Sequence, residues 1–289
     1  ARYRAKRLGR GRSVIYSSDL PATASEELGL EADLAWAIGQ NELVLHYQPI
    51  VEAQTMKITG VEALVRWQHP QWGLLGPFKF LPIAERTGLI DELGLWVLRE
   101  GCRQLAQWKA SGLNTLKMNI NVSPKQLSGH GFLQSIVKAR EEAELTGEDI
   151  ELELTESALV DAEGDVLQML HALTGRGVSL ALDDFGTGYS SIKNLLDLPI
   201  QTLKIDKSFI QGMRNATRNS VVVKALLMMG QGLGMRVVAE GVEDLSDLNA
   251  LGESSCLEIQ GYYFSRPMPA DQAEVFIRNF NKSKKEGVA

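Results

Sequence analysis

Eight residues stand at or near the ends of short β-rich runs: Glu62, Asn121, Glu153, Asp183, Asp184, Lys204, Glu240 and Gln260. The set is carboxylates and amides with one lysine, and it contains no histidine or cysteine. Oxygen donors of this kind suit hard cations such as Mg²⁺, Mn²⁺ or Ca²⁺ rather than structural zinc. Several carboxylates in one pocket repel one another unless cations neutralise them. Two cations about 3.5–4 Å apart would do so, and such a pair activates water for attack on a phosphodiester. Each residue also has a plain reading. A glutamate at a strand end is often solvated, an asparagine can cap or turn the chain, and Lys204 can simply pair with an acid. The plain readings do not account for an acid or amide on strand after strand.

For these side chains to meet, the elements carrying them must converge. The β-rich runs are Leu43–Ile50, Ile58–Arg66, Leu116–Asn121, Ile150–Leu154, Val178–Leu182, Thr202–Ile205, Arg236–Ala239 and Leu257–Gln260. Helical spacing separates many of them, as in Val222, Leu226, Met229 and Leu233, where methionine reads as core filler. Alternating strands and helices predict a mainly parallel sheet. Eight strands predict a closed α/β barrel of the TIM type with its site at the C-terminal mouth. An open doubly wound sheet is the alternative, but no glycine-rich dinucleotide fingerprint is present. Side chains alternate along a strand. Leu152, Leu154, Leu203 and Ile205 can therefore face outer helices while Glu153 and Lys204 point inward or toward the mouth. Ionisable groups are costly to bury without partners, so inward charges mark a site.

An ideal strand would splay the adjacent Asp183 and Asp184 to opposite faces, whereas a turn of the backbone at a strand end brings both to one cluster. Phe185-Gly186-Thr187-Gly188-Tyr189-Ser190 reads either as a mobile glycine-permitted loop or as an ordinary strand-to-helix turn. Tyr47, Trp67 and Phe264 can stack a base or pack in the core. His46 and His69 can be ligands or simply hydrogen-bonded.

The 289 residues are 44% hydrophobic and 23% charged, with a formal charge of −6. This is ordinary globular composition, and it argues against a nucleic-acid polymer as partner. Cys102 and Cys256 form no disulfide framework. Cys102 is in phase with Leu95, Leu98 and Leu105 and is expected to be buried, in a reducing, cytoplasmic compartment. No signal peptide or 18-residue apolar run is visible. The first residue is not Met, so a fragment of a longer chain is expected, and regions outside it can carry an anchor. Basic residues crowd the first dozen positions, residues 17–27 read as a linker, and a short helix is expected over Glu31–Ile38.

At the polar strand ends the sequence resembles the EAL family. Glu62-Ala63-Leu64, within Gly60–Trp67, matches the signature that names it. Tyr47-Gln48-Pro49-Ile50, Phe80–Glu85, Asn121-Val122-Ser123, Glu153–Glu156, Asp183–Gly186, Lys204-Ile205-Asp206, Glu240–Glu243 and Gln260-Gly261-Tyr262 follow in family order. The resemblance covers about Leu34 to Phe280, and the ordered set is highly specific. It implies a TIM-like (β/α)8 barrel with one antiparallel strand, hydrolysing cyclic di-GMP to linear pGpG. It implies Glu62, Asn121, Glu153, Asp183, Asp184, Glu240 and Gln260 as the metal set for two Mg²⁺ or Mn²⁺ ions, with Ca²⁺ inhibitory. Lys204 would hold the attacking water, with Glu240 as base or metal ligand. Gln48, Leu64, Arg66, Asp206 and Glu243 match substrate contacts. Glu156 would steady the Asp183–Ser190 loop, which the resemblance links to a homodimer. Residues 1–17 resemble the end of a GGDEF domain, implying such a domain upstream and sensory regions before it; 18–30 would be linker and 31–289 the EAL domain.

Family members lacking metal ligands act as receptors, but every expected inner residue is present here. A catalytically silent receptor is the alternative. A glycosidase needs two carboxylates flanking a sugar rather than this larger cluster. Enolase-like chemistry would use a Lys base that Lys204 could mimic. The ordered motifs favour the phosphodiesterase.

Overall fold

The computed structural model describes residues 29–127, 129, 131–159, 164–186, 192–213, 217–252 and 257–286. The expected GGDEF remnant (1–17), most of the linker, Cys256 and residues 187–190 of the loop lie outside these. A helix spans 29–37, as expected for this segment.

Nine strands follow among the described residues: β1 (Leu43–Glu52), β2 (Lys57–His69), β3 (Gly73–Leu75), β4 (Lys117–Val122), β5 (Ile150–Thr155), β6 (Ser179–Phe185), β7 (Thr202–Ile205), β8 (Arg236–Ala239) and β9 (Leu257–Ile259). β2, β4, β5, β6, β7, β8 and β9 pair in parallel in that order. β1 closes the ring, antiparallel to both β2 and β9. The result is an eight-stranded barrel with one reversed strand. β3 stands outside the ring, as a short antiparallel extension of β2 that the sequence reading did not include.

Apolar spacing seats the outer helices. Helix Ile90–Ala110 buries Leu93, Val97, Leu98, Gly101, Cys102, Leu105 and Trp108, a stripe at three- and four-residue intervals. Asp91 and Glu92 in its first turn and Lys109 in its last complement its dipole. Cys102 is inaccessible, and burial pushes its thiol up to about 12. Helix Thr217–Gly232 keeps part of the expected stripe, with Leu226 and Met229 packed against the core, and corrects the rest. Val223 and Leu227 face the core, Leu226 and Met229 are half-buried, Leu233 is exposed, and Met228 is 72% exposed. Among the described residues, no helix is long and apolar enough to cross a membrane.

The barrel interior is polar in two layers. Alternation along the strands puts Asn119, Glu151, Thr202, Arg236 and Glu258 in the floor layer. One step nearer the mouth come Glu62, Asn121, Glu153, Asp183, Lys204 and Gln260. Leu152, Leu154, Leu203 and Ile205 are buried, as the strand phase requires.

Candidate active site

Lys204 is fully buried at the centre of the upper layer. Its Nζ lies 2.7 Å from Glu240 Oε1, 2.8 Å from Glu153 Oε2, 3.4 Å from Asp183 Oδ1 and 3.9 Å from Glu62 Oε2. The amides complete the ring. Asn121 Nδ2 donates to Glu62 Oε1 (2.6 Å), and Gln260 Nε2 donates to Glu62 Oε2 and to Gln48 Oε1.

The adjacent aspartates reach one cluster because the strand breaks its register there. The β6–β7 pairing shifts between Leu182 and Phe185, and Asp184 takes a left-handed backbone, φ 53°. This costs a non-glycine residue energy but turns both carboxylates one way. One carboxylate oxygen each from Asp183, Asp184 and Glu240 lies within 4.8 Å of the others. Gly186, φ 95°, follows two residues later; a Cβ there would sit 2.9 Å from the Phe209 ring. Glu156 Oε2 accepts the Gly186 N–H at 3.1 Å and so ties the start of this loop to the end of β5.

Charge is out of balance here. Burial disfavours the Lys204 ammonium, but the four carboxylates around it outweigh that and raise its pKa well above the usual lysine range. Burial also pushes Glu62 up, but Lys204 and the Gln260 and Asn121 donors outweigh it and hold Glu62 below the ordinary glutamate value. Burial, with Glu62 and Asp183 beside it, drives Glu153 well above that value. Burial raises Glu240 to about 8, and burial with Asp183 and Asp206 raises Asp184 to about 6. With Asp184, five carboxylates face one ammonium, and two divalent cations would neutralise the excess. The residues fit such ions in a second respect: Gln260 Oε1 is buried without a hydrogen-bond donor among the described residues and is placed to accept a cation.

The cluster opens into a cleft of about 360 Å³ lined by Gln48, Leu64, Glu243, Lys207 and others. Glu243 accepts from Gln211 Nε2 at 2.9 Å. Arg66 is half-buried beside Glu62 and Tyr262 and donates to the Val65 carbonyl. Asp206 caps helix Lys207–Gly212 by accepting from the Ser208 N–H, with its carboxylate turned beside Asp184.

Tyr47 and Trp67 are core residues, 1% and 0% exposed, so neither can stack a base. Tyr47 packs edge-on against Trp108, and Trp67 donates to Glu42. Phe264 packs against Tyr263 and Phe280. His69 is no ligand: Nδ1 accepts from the Gln71 and Trp72 backbones and Nε2 faces Asp33 at 3.4 Å. His46 is half-buried, and burial and Arg66 lower its pKa.

Two aromatic residues in the cleft carried no individual role in the sequence reading. Phe78 is 91% exposed at the rim, and Tyr262 is half-exposed with the Arg266 guanidinium 4.2 Å over its ring. The signal for Phe78 was an apolar residue one place after the proline that starts a helix, on the side away from buried Phe80.

The barrel with one reversed strand and an acidic, lysine-centred mouth defines a class that comparison makes explicit. This chain belongs to the EAL domain family, whose model matches residues 31–267. Among curated proteins, the cyclic di-GMP phosphodiesterase NbdA of Pseudomonas aeruginosa is 40% identical over 280 residues, 97% of this chain and 36% of that protein. The bifunctional diguanylate cyclase/cyclic di-GMP phosphodiesterase MucR of the same species is 41% identical over 273 residues, 94% of this chain and 40% of that one. Among solved structures, the PaMucR phosphodiesterase in complex with c-di-GMP superposes with a TM-score of 0.82 at 41% identity, covering 85% of this chain and 99% of that one. The chain thus spans two-fifths or less of these two curated relatives.

Proposed function

We propose that this chain hydrolyses cyclic di-GMP to linear pGpG. The observation that carries the reading is the mouth layer itself: five carboxylates, two amides and a buried lysine, gathered from strands of an EAL barrel. The names of the relatives NbdA and MucR, and the c-di-GMP complex of PaMucR, support the substrate.

Glu62, Asn121, Glu153, Asp183, Asp184, Glu240 and Gln260 would hold two Mg²⁺ or Mn²⁺ ions. Bound there, the ions supply charge neutralisation and an activated water. The other steps belong to the chain's own groups. Lys204 donates into the centre of the cluster and orients the attacking water. Glu240, whose carboxyl burial raises to about 8 while no cation is beside it, would be held deprotonated by the bound ions and serve as base or metal ligand. Arg66 at the mouth offers a planar fork to a phosphate, with Gln48, Leu64 and Glu243 along the cleft and Asp206 behind Asp184. Phe78 and Tyr262 present aromatic faces to the purine bases. Ca²⁺, which tolerates looser coordination, would bind and inhibit.

The chain would act as a homodimer in the cytoplasm, downstream of a GGDEF domain and of sensory regions that could anchor the whole protein. The diguanylate cyclase in the name of MucR is consistent with that arrangement.

The test is incubation of the purified chain with cyclic di-GMP and Mn²⁺ or Mg²⁺, with products separated by chromatography and a chelator control. Metal-dependent pGpG is expected. Binding of intact cyclic di-GMP without product would make the chain a receptor. Neither binding nor turnover would remove the ligand assignment.

A further inference from the structure

In the floor layer, directly beneath the ligands, lies a buried side chain that neither the sequence motifs nor the proposed mechanism uses. Asn119 is 4% exposed, and its Nδ2 stands between two carboxylates, 3.1 Å from Glu153 Oε1 and 3.3 Å from Glu151 Oε1. Glu151 is anchored from below. Its Oε2 accepts from Thr202 Oγ1 at 3.2 Å and pairs with Arg236 Nη2, while Arg236 Nη1 pairs with Glu258 at 3.0 Å. Glu258 in turn accepts from Thr59 Oγ1 at 2.9 Å. Gly60 leaves room for this arrangement: a Cβ there would already touch Asn119 Oδ1 at 3.4 Å, and a longer side chain would crowd it.

We propose that Asn119 is a positioning residue for the metal centre, its amide linking the ion-paired barrel floor to Glu153 and fixing which Glu153 oxygen faces the mouth. The inference rests on the proposed metal-dependent reading of the site. Glu153 Oε1 is held from below by the amide, so Oε2 is the oxygen presented to Lys204 at 2.8 Å and to the space above. A buried carboxylate keeps one orientation only while its hydrogen bonds hold it there. Residues behind a metal ligand act in this way, and their loss typically weakens metal binding by about 10- to 100-fold. Asn119 sits one pleat below Asn121 on the same face of β4, so it supports the ligand layer without reaching the cleft.

The test compares Asn119→Leu and Asn119→Ala with the parent chain. Mn²⁺ binding is titrated by electron paramagnetic resonance without nucleotide, and kcat and KM for cyclic di-GMP are then measured at saturating Mn²⁺. Thr59→Val, at the far end of the network, is the control for loosening the floor alone. Both Asn119 variants should bind Mn²⁺ about tenfold or more weakly, Leu the more so, with kcat reduced and KM little changed. Thr59→Val should lower the melting temperature and keep parental Mn²⁺ affinity. Parental Mn²⁺ affinity and kcat in the folded Asn119 variants would overturn the proposal, as would equal weakening in Thr59→Val. Asn119→Ala carries the test if the leucine variant does not fold. A parent that binds Mn²⁺ but leaves cyclic di-GMP intact would defeat the proposed reaction, while the Mn²⁺ titration still judges Asn119.

Discussion

The Lys204 ammonium and the Glu240 carboxylate, from adjacent parallel strand ends, meet at 2.7 Å inside the barrel mouth. Lys204 is the one cation within contact of four carboxylates there, among the described residues. Removing it as Lys204→Met would leave those acids buried against one another. Breaking a buried ionic cluster in this way costs about 3–5 kcal/mol. The metal-free variant is expected to melt well below the parent and to recover part of the loss at pH 5, where the acids take up protons. Equal melting temperatures for variant and parent at pH 8 in chelator would contradict the electrostatic account.

The metal-free protein should lose stability as pH rises from 5 to 9. A carboxyl whose pKa is raised on folding holds its proton more tightly folded than unfolded. Its stabilising contribution is complete below the unfolded value, about 4.5 for Glu240, and is lost as pH passes the folded value of about 8. Asp184 behaves likewise through about 6. Mn²⁺ requires the deprotonated oxygens, so its stabilising effect should be larger at pH 8 than at pH 6. Calorimetric scans with and without Mn²⁺ at both pH values check the sign; a larger Mn²⁺ effect at pH 6 would reverse it.

Glu62 accepts from both Asn121 and Gln260, so its loss unties two amides as well as one proposed ligand. Glu62→Ala should lower turnover of cyclic di-GMP by at least about a hundredfold, with the circular dichroism spectrum unchanged. Parental turnover would take Glu62 out of the metal site.

Phe78 makes little of the core, being 91% exposed, yet it lines the cleft that holds Glu62, Asp183 and Glu240. Phe78→Ala should raise KM about fivefold or more through lost base stacking, with kcat and the melting temperature near parental. Phe78→Tyr should restore KM. An unchanged KM in Phe78→Ala would assign the base contact elsewhere.

Much of the barrel was legible because strand and site signals coincide. Thr202–Ile205 and Arg236–Ala239 fall where the β-rich runs end in Asp206 and Glu240. The buried face of helix Thr217–Gly232 was not, because Val221, Val222, Val223, Leu226, Leu227, Met228 and Met229 spread apolar residues over most of its circumference. Lys224 and Gln231 mark a polar side, but periodicity cannot choose among the remaining faces when all are apolar. Only tertiary packing selects Val223 and Leu227. The convergence of Asp183 and Asp184 was anticipated as a turn of the backbone, but the register shift and left-handed residue that accomplish it are features of the sheet. Asn119 was invisible for another reason. A polar residue two places before a candidate ligand reads as ordinary strand polarity until Glu151 and Glu153 are seen on either side of it.

Because β1 runs against its neighbours, it begins above the mouth, with Leu43 opposite Trp67, and ends at the floor, with Glu52 opposite Lys57. Helix 29–37 therefore approaches from the side where the carboxylates gather, and Asp33 and Glu31 touch His69 and Arg86 there. In an all-parallel ring the first strand would start at the opposite pole. The reversal thus fastens helix 29–37, through His69 and Arg86, to the pole of the ring that carries the ligands rather than to its floor.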